Sequence, residues 1–258
     1  MNEEIRTKGL DIEEIMERAR ISGEKFSSYS QERVDQIVKA VYEAGFNNRV
    51  YLAKMAHEET GIGKWQDKVS KNVIATRYVY QDIKDLKTAG IIREDPESGI
   101  TEVAKPIGPI FAMTPITNPT STALFKILIS MKTRNPIVIY PHGAARKSTI
   151  EAARICYEAA LEAGAPPNCI QWIPKASRDQ VIAFMGHKFT ALVLATGSVS
   201  LVKTAFSLSS SIFLAPTYPI PPLNPPTSCF KKGANFPLKG TSPSTPSGIK
   251  SSVLTSVC

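Results

Sequence analysis

Beyond Asp179 the chain contains no aspartate and no glutamate. A folded surface normally mixes both signs of charge, so this absence sets the last part of the chain apart from the rest. Other scarcities exclude whole classes of function. The three histidines stand at 57, 142 and 187, and the four cysteines at 156, 169, 229 and 258. None fall in metal-ligand spacing and none form a paired framework. The expectation is no metal, and reduced thiols in a cytoplasmic protein. No apolar run approaches the ~20 residues of a membrane helix. The opening MNEEIRTKGLDIEE is acidic and lacks an apolar core, so it does not read as a signal peptide. The net charge of +8 suggests nucleic acid, but four of those charges are Lys231, Lys232, Lys239 and Lys250 in the acid-free region. Through Ser207 there are 27 basic and 23 acidic residues, interspersed. That pattern is a solvated face rather than a basic stripe, and no nucleic-acid partner is expected.

What is present reads first as helices. Asp11 with Glu14 begins a capping box, followed by Ile12, Ile15, Met16 and Ala19 on one face. Ser30 precedes a stripe of Val34, Ile37, Val38 and Val41 that ends at Gly45. A third helix runs from about 48 to Gly61, and a longer one spans about 66–86. From Ile100 the period changes. Short apolar runs at 107–113, 136–140 (PIVIY), 169–173 (CIQWI) and 191–195 (ALVLA) alternate with helical stretches at 119–131, 146–163, 177–185 and 198–206. Strands apolar at almost every position suit a parallel sheet covered on both faces. The expected fold class is α/β: N-terminal helices with an incomplete Rossmann-like parallel sheet of four strands. The expected organisation is a helical region at 1–99, a nucleotide-binding part at 100–207, and a separate tail at 208–258. In such a sheet, ligands lie beyond the carboxyl ends of the strands. Those ends are 113–118, 140–143, Pro174 and 196–198.

Three stretches, KPIGPIFAMTPITNPTSTALFKILISMKTRNPIVIYPHGAARKST (105–149), AGAPPNCIQWI (163–173) and LVLATGSVSLVKTAF (192–206), together with EETGIGKWQDKVSKN (58–72), resemble the aldehyde dehydrogenase superfamily. The likeness is greatest to its CoA-acylating acetaldehyde dehydrogenases, including the N-terminal half of bifunctional aldehyde/alcohol dehydrogenases, and covers roughly residues 10–207. The resemblance implies NAD-dependent oxidation of an acetaldehyde-like substrate to acyl-CoA through a cysteine thioester. NAD is the implied cofactor and CoA the co-substrate.

The resemblance also carries individual residues. Asn118 matches the family's oxyanion-hole amide, although Asn followed by Pro119 is equally a helix cap. Thr114 and Pro115 belong to the same implied cofactor-side loop. Thr196, Gly197 and Ser198 match the turn that receives the pyrophosphate, while a plain strand-to-helix cap would look the same. Pro141 and His142 match the loop bordering the adenosine ribose; His142 read alone is a solvated side chain. Arg146 and Lys147 open a helix where cations are disfavoured. They point to a nearby anion such as a phosphate, or are simply exposed charges.

The resemblance is read to stop near Ser207. The 52 residues from there hold nine prolines and eleven serines. The family's Phe-Asp-Asn-Gly-x-x-Cys setting of the nucleophile is not among them. Cys229 in PPTSCFKK and Cys258 lack its flanking residues. The sequence therefore predicts a chain truncated relative to the family, without a working nucleophile or the family's homo-oligomerisation. The composition change suggests a shifted reading frame from about codon 207. The tail is expected to be disordered, leaving ALVLA as an unpaired edge. Two alternatives go with this: a non-catalytic remnant that at most binds nucleotide, or an interaction protein acting through PIPPLNPP.

Overall fold

The computed structural model describes residues 10–197, 199–208 and 212–214. Helix α1 (Ile12–Ser27) starts at Asp11, whose side chain accepts from the Glu14 amide at 3.0 Å. Helix α2 (Gln31–Asn47) is capped by Ser30 and buries Val34, Ile37, Val38 and Val41. Gly45 is needed where α2 meets a later helix: a Cβ there would stand 2.8 Å from a Leu124 methyl. Helix α3 (Arg49–Thr60) stops at Gly61, with φ 65°. The long helix expected at 66–86 forms as α4 (Trp65–Val73), a π turn (Ile74–Tyr78) and α5 (Val79–Ile83). In the widened turn the Thr76 hydroxyl donates back to the Asn72 carbonyl at 2.6 Å, a local competitor of the helical ladder.

Next comes a hairpin that hydrophobic periodicity did not reveal. Strands β1 (Gly90–Asp95) and β2 (Ile100–Ala104) pair antiparallel across the 99/100 division expected from the sequence. Asp95 accepts from the amides of Glu97 and Ser98, and Gly99 takes φ 67°. The turn is set by polar chemistry rather than by apolar alternation. Arg134, buried with φ 58°, ties the segment down by donating to the carbonyls of Ser27 (2.6 Å), Thr88 (3.0 Å) and Ala104 (3.0 Å). Its neighbour Asn135 accepts from the amides of Ile107 and Gly108. The TRNP stretch is thus a latch between sheet and hairpin.

The main sheet holds β3 (Ile110–Met113), β4 (Ile137–Tyr140), β5 (Ile170–Trp172), β6 (Leu192–Ala195) and β7 (Ile212–Leu214), in the order β5-β4-β3-β6-β7 with every pairing parallel. Helices α6 (Pro119–Lys132), α7 (Arg146–Glu162), α8 (Arg178–Met185) and α9 (Val199–Leu208) provide the crossovers. The strands are apolar at almost every position, Gln171 in β5 excepted, because alternate residues serve two cores. Ile110, Ala112, Ile137, Ile139, Leu192 and Leu194 pack with α2, α6 and α7. Phe111, Met113, Val138, Val193 and Ala195 pack with α1 and α8.

The four parallel strands expected over 100–206 form, and β7, beyond that range, adds a fifth to the sheet. One expectation is corrected here. ALVLA is not left unpaired, because Val193, Leu194 and Ala195 pair with Ile212, Phe213 and Leu214. Three apolar residues are too few to show a period, and they precede the first proline of the tail, Pro216. The expected disorder of the remaining tail, with Cys229, Cys258 and PIPPLNPP, lies outside the described residues.

Candidate active site at the strand carboxyl ends

Chain direction across the sheet reverses between β3 and β6. From β3 the chain moves out through β4 to β5, then returns to the far side of β3 as β6. Such a switch point opens a crevice at the strand carboxyl ends. Three of the expected loops converge beside it: 114–118 after β3, 141–145 after β4, and Thr196–Gly197 after β6.

Lys126, on α6, lies under the crevice. It is fully buried, and its Nζ donates to the carbonyls of Met113 (2.6 Å) and Leu194 (2.7 Å) and to Thr196 Oγ1 (3.0 Å). Thr196 Oγ1 in turn donates to Met113 O at 2.5 Å. The three donors of an ammonium thus meet three oxygens at the ends of β3 and β6. Burial pulls the Lys126 pKa down to about 7, because the charged form loses water. The sequence reading missed this residue. It sits inside the apolar run ALFKILI, and a lysine flanked by core positions on both sides is the signal that was there to find.

The loop after β3 is fixed from α4. Thr114 is buried, its amide donates to Tyr140 O at 3.0 Å, and Pro115 is buried beside it. Lys68 Nζ donates to Thr117 O at 2.9 Å and Lys71 Nζ to Asn118 Oδ1 at 2.8 Å. Thr120 Oγ1 donates to the buried Asn72 side chain at 3.0 Å. Burial and the neighbouring Lys71 lower the Lys68 pKa. Asn118 does not cap α6 with its side chain; Pro119 supplies the N1 position instead. With Oδ1 taken by Lys71, the Asn118 amide keeps its NH2 end free to donate. The stretch 58–72, matched only as a likeness, is therefore the clamp on the Asn118 loop.

The loop after β4 is built differently. Pro141 is buried. His142 is exposed, and its Nδ1 accepts from the Ala144 amide at 3.2 Å, capping a 3-10 turn (Gly143–Ala145). Helix α7 then starts with no side-chain cap and no acid of its own in the first turn. Glu59, at the end of α3, fills that role: its two oxygens accept from the amides of Lys147 and Ser148, each at 2.7 Å. The chain's own carboxylate thus stands at the helix start that Arg146 and Lys147 open. After β6, Gly197 takes φ 150°, a region that favours glycine, and α9 begins two residues later without an acid in its first turn. Ser198 lies outside the described residues.

Among the described residues no group of His, Cys, Asp and Glu could hold a metal ion. Likewise, no helix is long and apolar enough to cross a membrane. Cys156 and Cys169 are buried, and burial pushes each thiol up to about 12. Neither offers a thiolate at neutral pH.

Comparison with known proteins gives the family and the fold. The model of the aldehyde dehydrogenase family matches residues 5–213, a span that extends past Ser207 and takes in part of β7. Aldehyde-alcohol dehydrogenase 2 of Entamoeba histolytica is 45% identical over 198 residues, covering 76% of this chain and 23% of that protein. A probable aldehyde dehydrogenase from Listeria monocytogenes superposes with a TM-score of 0.77 at 44% identity, covering 78% of this chain and 45% of that one. A Rhodopseudomonas palustris propionaldehyde dehydrogenase, solved with bound CoA and an acylated cysteine, gives a TM-score of 0.67 at 26% identity, covering 79% of this chain and 46% of that one. The chain thus spans about a quarter of the curated relative's length and under half of the solved structures'. The clamped Asn118 loop, the Lys126 bridge and the glycine turn after β6 stand within the matched span, and the chain belongs to the aldehyde dehydrogenase family.

Proposed function

We propose that this fold serves the oxidation of a small, acetaldehyde-like substrate to its acyl-CoA in the cytoplasm, with NAD as hydride acceptor. The observation that carries the reading is the Asn118 amide, its oxygen held by Lys71 in the loop that follows β3 at the carboxyl end of the sheet. A donor fixed in that way stabilises the oxyanion formed when a thiolate adds to an aldehyde carbonyl, and needs no reorganisation when charge develops. The crevice residues also suit a nucleotide. The turn at Thr196–Gly197 opens α9, whose first turn holds no acid to repel a pyrophosphate. NAD, when bound, accepts the hydride; Thr114 and Pro115 wall the crevice on the β3 side, and Thr196 on the β6 side.

The described residues contain no accessible thiol, and neither Cys229 nor Cys258 stands in the family's nucleophile setting. On this reading the chain by itself carries the nucleotide side and the oxyanion donor without completing the reaction. The test is the purified chain with NAD, acetaldehyde and CoA, followed at the NADH absorbance. No turnover is expected, with NAD binding in the millimolar range, roughly −4 kcal/mol. Turnover that disappears in Cys229→Ala would overturn the inactive reading and make Cys229 the nucleophile. Absence of any NAD binding would overturn the nucleotide reading.

A further inference from the structure

The loop after β4 carries information about which nucleotide the crevice accepts. In a doubly wound sheet, the strand next to the one at the switch point ends near the adenosine ribose. An acid there selects the free 2′-hydroxyl, while a nearby arginine accommodates a 2′-phosphate. Here that strand is β4. Its continuation reads Pro141, His142, Gly143, Ala144, Ala145, Arg146, Lys147, with two cations and no acid. The Arg146 guanidinium lies over the turn, 3.9 Å from where a Cβ on Gly143 would stand. Read along the chain alone, this loop suits a 2′-phosphate.

The tertiary structure reverses that reading. Glu59 arrives from α3, far away in sequence, and seats both carboxylate oxygens on the Lys147 and Ser148 amides. A 2′-phosphate at this helix start would seek those same amides and the positive end of the α7 dipole. Both are already engaged by a fixed negative charge. A phosphate approaching the helix start meets like charge and finds the Lys147 and Ser148 amides taken. A neutral 2′-hydroxyl loses nothing.

We propose that Glu59 is the residue that makes this chain select NAD over NADP, by occupying with its own carboxylate the anion position that a 2′-phosphate would need. The inference rests on the nucleotide reading proposed above and goes beyond it, since the matched loop itself contains no acid. Glu59→Gln keeps the size and one acceptor of the side chain and removes its charge.

The experiment is titration of the full chain, wild type and Glu59→Gln, with NAD and with NADP at low ionic strength, read by calorimetry or amide chemical shifts. The wild-type chain is expected to bind NAD at least about tenfold more tightly than NADP, as like-charge exclusion requires. Glu59→Gln is expected to narrow that ratio by about tenfold through a gain in NADP affinity, with NAD affinity unchanged. Adding Arg146→Ala to Glu59→Gln should remove the gain, because the guanidinium beside the turn is then missing. An unchanged ratio in a folded Glu59→Gln chain overturns the proposal while leaving the nucleotide reading standing. Equal binding of NAD and NADP by the wild-type chain does the same, and serves as the deciding measurement if Glu59→Gln does not fold. Binding of neither nucleotide by either chain instead removes the nucleotide reading, and this inference with it.

Discussion

The loops after β3 and β4 lie side by side at one end of the same sheet, yet they are held by opposite charges. Around the β3 loop the anchors are cations: Lys126 on the Met113 and Leu194 carbonyls, Lys68 on the Thr117 carbonyl, Lys71 on the Asn118 side-chain oxygen. Around the β4 loop the anchor is the Glu59 carboxylate on two amides. The difference follows from which end of the backbone dipole each region exposes. Strands ending at the crevice present carbonyl oxygens, which call for donors. A helix beginning there presents unpaired amides, which call for an acceptor. The same polarity gives each loop its proposed use, with a donor left over at Asn118 and an anion position closed at Glu59.

The largest expected effect comes from breaking the β3 side at its base. Lys126→Ala removes a fully buried side chain and leaves two carbonyls and a hydroxyl without their donor. A loss of about 3 kcal/mol in urea unfolding is expected, from the cavity and the orphaned acceptors together. A change below about 1 kcal/mol would show that the bridge is not what holds β3 and β6 in register.

The pH profile sharpens the same contrast. The Lys126 pKa falls to about 7 in the folded chain from an ordinary value of 10.5. Between those values the unfolded chain binds a proton that the folded chain does not, so stability should rise with pH from about 7 upward. The slope should approach about 1 kcal/mol per pH unit. Above pH 9 the trend should turn down, because Cys156 and Cys169 ionise near 9 only when unfolded, burial pushing them up to about 12 in the fold. Urea midpoints measured from pH 6.5 to 10 test this. A rise that persists in Lys126→Met would assign it to another group.

The smallest effect belongs to Lys71. Its ammonium is exposed, so Lys71→Ala should cost under about 1 kcal/mol. It should nonetheless shift and broaden the Asn118 side-chain amide resonance, since the oxygen that fixes the amide's orientation loses its partner. An unmoved resonance would mean that Asn118 is oriented by the loop backbone alone.

Much of this was legible along the chain. The strands at 107–113, 136–140, 169–173 and 191–195 stand where expected, to within a few residues, because strands covered on both faces are apolar at almost every position. Helices start after Asp11 and Ser30 as read, although only the Asp11 half of the expected capping box forms, since the Glu14 carboxylate pairs with Arg18. The hairpin at 90–104 was not legible, since β1 and β2 are largely exposed and show no apolar alternation. Nor was β7, whose three residues carry no period. For the site, Asn118, Thr114 and Thr196 were named, but none of their partners. Lys68, Lys71 and Glu59 lie 49, 47 and 88 residues from the backbone or side-chain groups they hold. His142, read as a ribose donor or a solvated side chain, is exposed, and its Nδ1 in addition caps a turn.

By itself the sequence determined the α/β alternation, the two-sided burial of the sheet and the positions of the loops at its carboxyl end. These are properties of local periodicity, and periodicity is written along the chain. Only the tertiary structure decided which charges stand in those loops: three lysines at the β3 end, one glutamate at the β4 end. An ionic or hydrogen-bonded contact depends on distance through space, and residues on different helices that share no local pattern meet only after the sheet and its crossovers have packed.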